Sequence, residues 1–201
     1  MRWFRRTPLE PVRWVVIDCE TSGLDIARDR LLSVGAVAVQ GGRIAAGEYF
    51  ASTVAQRDPS PAANILVHGI GGDAQRAGRP LDEVIGELKA FVGDGVPVGF
   101  HAPFDAGILR RHGFKLQAAW IDLATLMPVL FPEKAPRSGS TLDHWLAAFG
   151  IAAGQRHDAL SDAFATAELH LVALAELKRR GVRTVEALRQ TERDARWLAP
   201  H

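Results

Sequence analysis

Asp18 and Glu20 stand one residue apart in VVIDCETSG, residues 15–23, where an apolar run ends in two carboxylates. In an extended strand residues i and i+2 face the same way, so the two acids are neighbours and Cys19 points to the other face. Like charges that close repel, and partial burial makes the repulsion worse. A proton, a basic side chain or a divalent cation must offset it. Further titratable residues sit where elements should begin. Asp105 lies in GFHAPFDAGIL, residues 99–109, and His157 and Asp162 lie in RHDALSDA, residues 156–163. Each has a simple explanation alone. Asp18 and Glu20 could be solvated at a strand end, Asp105 and Asp162 could complement helix dipoles, and His157 could be a loop histidine. The joint pattern favours a site: D-x-E on one strand, F-D after another, and H-x-x-x-x-D late in the chain.

The elements that must bring these residues together can be read from periodicity and turn signals. Residues 13–19 read as a first strand, 31–40 as a second and 43–52 as a third. Gly41-Gly42 is a two-residue hairpin signal between the last two. Residues 53–80, rich in Pro, Gly and Ala, hold short helical turns. Apolar residues at 81, 84, 85, 88, 91 and 92 have helical spacing. A fourth strand at 96–100 leads into a helix from Pro103 to His112, stopped by Gly113, and residues 119–122 form a fifth strand. A helix over 123–131 and the loop 133–140 come next. Ser140 and Asp143 suggest a capping box. A long helix runs from Leu160 to Arg180, and a charged helix covers 184–197. A meander followed by β-α-β and helices implies a mixed five-stranded α/β sheet, its first three strands antiparallel, flanked by α-helices. Sites in such sheets gather at the carboxyl ends of strands.

A chain of 201 residues with 47% hydrophobic and 23% charged content suits one domain with a proper core. Residues 1–12 read as a basic, aromatic tail and 13–201 as the domain, with Arg2, Arg5, Arg6 and Arg13 clustering with Trp3, Phe4 and Trp14 in a solvated segment whose aromatics tuck against the domain. The single cysteine, Cys19, excludes an intramolecular disulfide and a cysteine-rich zinc site. No apolar run spans a bilayer and the N-terminal residues have no apolar stretch of signal type, so a cytoplasmic protein without a membrane partner is expected. The net charge of +1 announces no overall basic field for nucleic acid, although an acidic metal site would mask a local one. Arg189, Arg193 and Arg196 read as a solvated face of the last helix.

DCETSGL (18–24), GFHAPFD (99–105) and HDALSDA (157–163), in order and at domain-scale spacing, resemble the motifs of the DEDDh 3′–5′ exonucleases. That group includes the proofreading subunit of bacterial DNA polymerase III and oligoribonuclease. The resemblance covers residues 13–180, and VHGI at 67–70 looks like a stretch these enzymes carry. It implies an RNase H-like fold and a site for two divalent cations, Mg²⁺ or Mn²⁺, with Asp18, Glu20, Asp105 and Asp162 as ligands. Asp18 would bridge the cations, Glu20 and Asp162 would hold the first, and Asp105 would act partly through water. His157 would be the general base. The substrate would be the 3′ end of single-stranded or frayed nucleic acid, with DNA favoured over RNA. The backbone around Thr21 would hold the terminal nucleotide, Leu24 would wedge against the last bases, and Phe104 and His68 would contact substrate. His101 departs from the family, many members of which have asparagine there, and this bears on contacts to the scissile nucleotide. No glutamine-led hydrophobic clamp motif is evident, so a polymerase or repair partner stays open. The rival readings are a nucleic-acid-binding module with the same fold but no useful catalysis, and a hydrolase of small phosphodiesters.

Overall fold

Four consecutive apolar residues, Trp14 to Ile17, are buried in β1 (Trp14–Thr21), which is what a central strand covered on both faces requires. We describe the fold from a computed structural model, whose described residues are 7–198. The basic and aromatic residues at positions 2–6 therefore lie outside the description. β2 (Leu31–Gln40) runs antiparallel to β1, and β3 (Arg43–Thr53) antiparallel to β2. Gly41 and Gly42 have φ of 60° and 72°, the left-handed pair a tight hairpin needs. β4 (Val96–Gly99) returns parallel to β1 and β5 (Ile121–Asp122) parallel to β4. The five strands lie in the order β3-β2-β1-β4-β5, with the first three antiparallel as the sequence implies.

Helices cover both faces. Even-numbered residues of β1, Trp14 and Val16, pack with α5 (Leu123–Leu130), α6 (Leu142–Phe149), α7 (Ala159–Arg179) and α8 (Val185–Leu198). Odd-numbered Val15 and Ile17 pack with α3 (Leu81–Val92) and α4 (Ala102–Arg111). The segment after β3 forms the short helices α1 (Ala62–His68) and α2 (Gly72–Arg76). No described helix is long and apolar enough to cross a membrane.

Several expectations shift. β1 continues to Thr21, so both Asp18 and Glu20 belong to the strand. The α6 cap lies one residue later than the Ser140–Asp143 box. Thr141 Oγ1 accepts from the His144 N–H at 3.2 Å, while Ser140 Oγ accepts from Trp145 Nε1 at 2.7 Å. Burying Trp145 requires a partner for its indole N–H, and Ser140 is used for that. The arginine face of α8 is exposed at Arg193 and Arg196, but Arg189 donates to the Ala119 carbonyl, Arg196 pairs with the buried Glu192, and the adjoining face buries Leu188 and Ala195. Thr7 to Val12 do not hang free of this helix. Pro8 bridges to Thr184 and the Thr7 N–H donates to Glu186.

His170, on the sheet-facing side of α7, is 1% exposed and sits edge-on to Trp14 with ring centroids 5.0 Å apart. Among the described residues neither ring nitrogen has a hydrogen-bond partner, and burial drives its pKa down to about 3. The unfolded chain therefore binds a proton below about pH 6.5 that the folded chain refuses, and folding loses about 1.4 kcal/mol per pH unit there. His170→Leu should melt in urea with a stability that gains on wild type by about this slope from pH 6.5 down to pH 5. Parallel pH profiles for the two proteins would contradict the assignment.

Candidate active site

The carboxyl end of β1 is where the two helical layers meet. Asp18 and Glu20 point to the α7 side. A register shift between Glu20 and Thr21, opposite Ser33 and Leu31, ends the regular ladder there. Asp162 descends from the first turns of α7 and is 5% exposed. Asp105 comes from the other layer, in the first turn of α4, and is also 5% exposed. His157 lies just before α7, whose N-cap Asp158 accepts from the Ser161 N–H at 2.9 Å. Ligand atoms of Glu20, His157 and Asp162 lie within 4.8 Å of one another.

Crowding shows in the protonation behaviour. Burial holds the Asp18 carboxyl well above the usual range, and the charges of Asp105, Glu20 and Asp162 push the same way. Glu20 is raised to about 7 by burial and by Asp162 and Asp158. Burial raises Asp105 to about 7, against hydrogen bonds from the Cys19 thiol and from the Asp105 and Cys19 backbone that pull it down. The Cys19 thiol is pushed up by burial and by Asp105. Crowded carboxylate oxygens from three elements, whose ionised forms burial and mutual repulsion disfavour, are hard donors that fit a divalent cation.

Close packing makes the convergence possible. Gly35 of β2 lies opposite Asp18 in the ladder. A Cβ at Gly35 would stand 2.3 Å from the Ala159 carbonyl oxygen and 2.4 Å from the Leu160 nitrogen. The first turn of α7 therefore rests directly on the sheet, and Asp162 hangs one turn further on. Among the described residues, His101 and His157 are the non-glycine residues with positive φ, at 59° and 60°. Both flank the acids, and such backbone costs of order 1–3 kcal/mol unless its surroundings hold it. His101 caps α4, with Nε2 2.8 Å from the Ser140 carbonyl. The left-handed region admits histidine, like asparagine and aspartate, more readily than most residues. Asp162 Oδ2 accepts the His157 N–H at 3.0 Å.

The remaining sequence-derived residues are spread around this centre. Thr21 donates its hydroxyl to the Gly23 carbonyl at 2.6 Å, shaping the turn that follows the acids. Leu24 is 87% exposed, which excludes a core role for it. The loop that carries it is anchored: Ser22 and Asp29 are bonded at 2.8 Å, Arg111 of α4 donates to the Ile26 carbonyl, and Ile26 fills the space above Gly107. Phe104 is half-buried against the α3–α4 core. His68 is buried at the end of α1, where its Nδ1 accepts the Ile70 N–H at 3.1 Å. Asp122 caps α5 and also accepts from the Ala102 N–H, tying β5 to the start of α4. Sequence reasoning missed Gly35 and Arg156. The latter's guanidinium pairs with Asp143 and with Asp162.

Residues 15–170 match the family model described as an exonuclease. The chain belongs to this exonuclease family. It is 36% identical over 187 residues to a DNA polymerase III subunit epsilon-like protein of Rhodobacter capsulatus, covering 90% of this chain and 26% of that protein. It is 30% identical over 174 residues to the PolC-type DNA polymerase III of Thermotoga maritima, covering 84% of this chain and 12% of the relative. This chain thus spans about a quarter or less of these relatives. Among solved structures, a zinc-bound E. coli exonuclease I–ssDNA complex superposes with a TM-score of 0.72 at 21% identity, over 84% of this chain and 42% of that one. A product-bound exonuclease I gives 0.69 at 19% identity, over 90% and 46%. At these identities the likeness establishes the fold.

Gly35→Ala should shift the start of α7 and with it Asp162. Overpacking against rigid backbone costs about 1–3 kcal/mol, so a fall of this size in urea-melt stability is expected, together with loss of divalent-cation binding. A variant of wild-type stability and cation binding would show that α7 does not depend on this contact.

Proposed function

We propose that the chain is a divalent-metal-dependent 3′–5′ exonuclease of DEDDh type that shortens single-stranded or frayed ends, with DNA favoured and RNA accepted. The observation that carries the reading is the grouping of Glu20, His157 and Asp162 ligand atoms within 4.8 Å of one another, with the charges of Asp105, Glu20 and Asp162 acting on Asp18, in a member of the exonuclease family. The relatives named for DNA polymerase III and the exonuclease I complexes with ssDNA support DNA as substrate.

Asp18, Glu20, Asp105 and Asp162 would hold two cations, Mg²⁺ or Mn²⁺, which when bound supply a nucleophilic hydroxide and charge stabilisation at the leaving oxygen. His157 is exposed at the mouth of the site and accepts the proton of the attacking water. Its backbone N–H, bonded to Asp162, keeps the ring beside the acids. The new bond is water oxygen to phosphorus; the bond broken joins phosphorus to the 3′-oxygen, which leaves with a proton. Thr21 and its turn would seat the terminal nucleotide. Leu24, held out on its anchored loop, would separate the last bases, and Phe104 and His101 would line the path, while the buried His68 would support it from beneath. A DNA polymerase assembly is the partner class these relatives suggest; a repair partner and a cytoplasmic location are proposed from the sequence alone. Nucleic-acid binding without turnover is the rival reading.

A 5′-labelled single-stranded DNA and its RNA twin, incubated with Mg²⁺, Mn²⁺ or chelator, test this. A ladder shortening from the 3′ end is expected, lost with chelator or in Asp18→Asn, and slowed about 10²–10⁴-fold in His157→Ala. Intact oligomers under every condition, with oligonucleotide still bound, would favour the binding module.

A further inference from the structure

Arg156 has no part in the chemistry above, yet its side chain is only a quarter exposed, at 25%, and is wedged among the acids. Nη1 pairs with Asp162 Oδ1, and Nε pairs with Asp143 Oδ1 on the first turn of α6. The other oxygen of Asp162 takes the His157 N–H. Both oxygens of an almost fully buried carboxylate are therefore held by donors of the protein itself. The Arg156 charge also favours the ionised forms of Asp18 and Glu20, opposing the repulsion among the acids.

A guanidinium cannot shed its charge by losing a proton in a protein. A divalent cation approaching Asp162 thus meets a fixed positive charge on the oxygen it needs. Coulomb repulsion between them in a partly dry site is large. The arginine has somewhere to go. Asp143 is 66% exposed at its side chain and already holds the guanidinium by a different nitrogen.

We propose that Arg156 is a built-in counter-ion that exchanges with the divalent cation at Asp162, moving its charge onto Asp143 as the cation binds. The Asp143–Arg156 pair then sets how tightly the site holds metal. It neutralises the acids before loading and yields Asp162 on loading. Arg156 is a positioning residue in this scheme, acting through Asp162. The inference rests on the reading of the acids as a metal site.

Titrating Mn²⁺ into the full chain at neutral pH without nucleic acid, with free Mn²⁺ followed by electron paramagnetic resonance, separates the possibilities. Arg156→Met should bind Mn²⁺ roughly fivefold or more tightly than wild type, the scale of a typical coupling between competing states. Its metal-free Tm should fall while its metal-loaded Tm stays near wild type. Arg156→Lys, which keeps the charge, should lie close to wild type. Asp143→Asn should have the opposite sign to Arg156→Met and weaken Mn²⁺ binding, because the guanidinium loses its second acceptor. Unchanged or weaker binding in Arg156→Met would overturn the exchange. So would unchanged or tighter binding in Asp143→Asn, a surface variant expected to fold. If wild type binds no Mn²⁺ and matches Asp162→Asn, the metal-site reading falls, and the counter-ion exchange with it.

Discussion

Mutual repulsion among carboxylates, drawn to one place from three elements, is the constraint around which the rest of the structure is arranged. Asp18 and Glu20 come from β1, Asp105 from α4 and Asp162 from α7. Burial and proximity together raise Glu20 and Asp105 to about 7 and Asp18 beyond the usual carboxylate range. No hydrophobic gain is made by placing them so. Each device nearby serves to hold the acids against that repulsion. The α7 N-terminus lies on Gly35, α4 starts from a left-handed His101, and Arg156 supplies a positive charge between two aspartates. Strain and charge concentrated in this way are a mark of functional sites rather than of stable cores.

Much of this was legible in the sequence because it depends on short-range rules. The valine-rich runs, the Gly-Gly hairpin and the apolar spacing of α3 indicated a mixed five-stranded sheet, its first three strands antiparallel, with helices flanking it; the strand order came from the structure. Period-two geometry alone put Asp18 and Glu20 on one face. Their places at the starts of elements singled out Asp105, His157 and Asp162, and the resemblance to exonuclease motifs gave them expected roles. What escaped depends on contacts between residues distant in the chain. Gly35 reads as a weak point in a β-strand until α7 is seen resting on it. Arg156 reads as a loop charge until α6 brings Asp143 to it. His170 reads as one polar residue in a long helix, and only the packing of α7 on Trp14 buries it. The α6 cap was misplaced by one residue because Trp145 needed Ser140, a demand that capping statistics do not contain.

The surroundings of the acids divide into a fixed part and an open part. The loop carrying Leu24 is exposed at its tip but tied to α4 through Arg111 and Ile26. Its position is therefore set by the rigid layer beneath. Family membership and the exonuclease I likeness establish the frame. His101 lies beside the acids at the start of α4, with its ring bonded to the Ser140 carbonyl.

The account stands or falls on whether divalent cations relieve the crowding of the acids. Cation binding should displace protons from groups that titrate near 7. Calorimetric titration of Mg²⁺ at pH 7 in two buffers of different ionisation enthalpy measures that displacement directly. The account predicts release of about one proton or more per chain on binding, with both the binding and the release abolished in Asp18→Asn. Binding without proton release, or binding that survives Asp18→Asn unchanged, would contradict it.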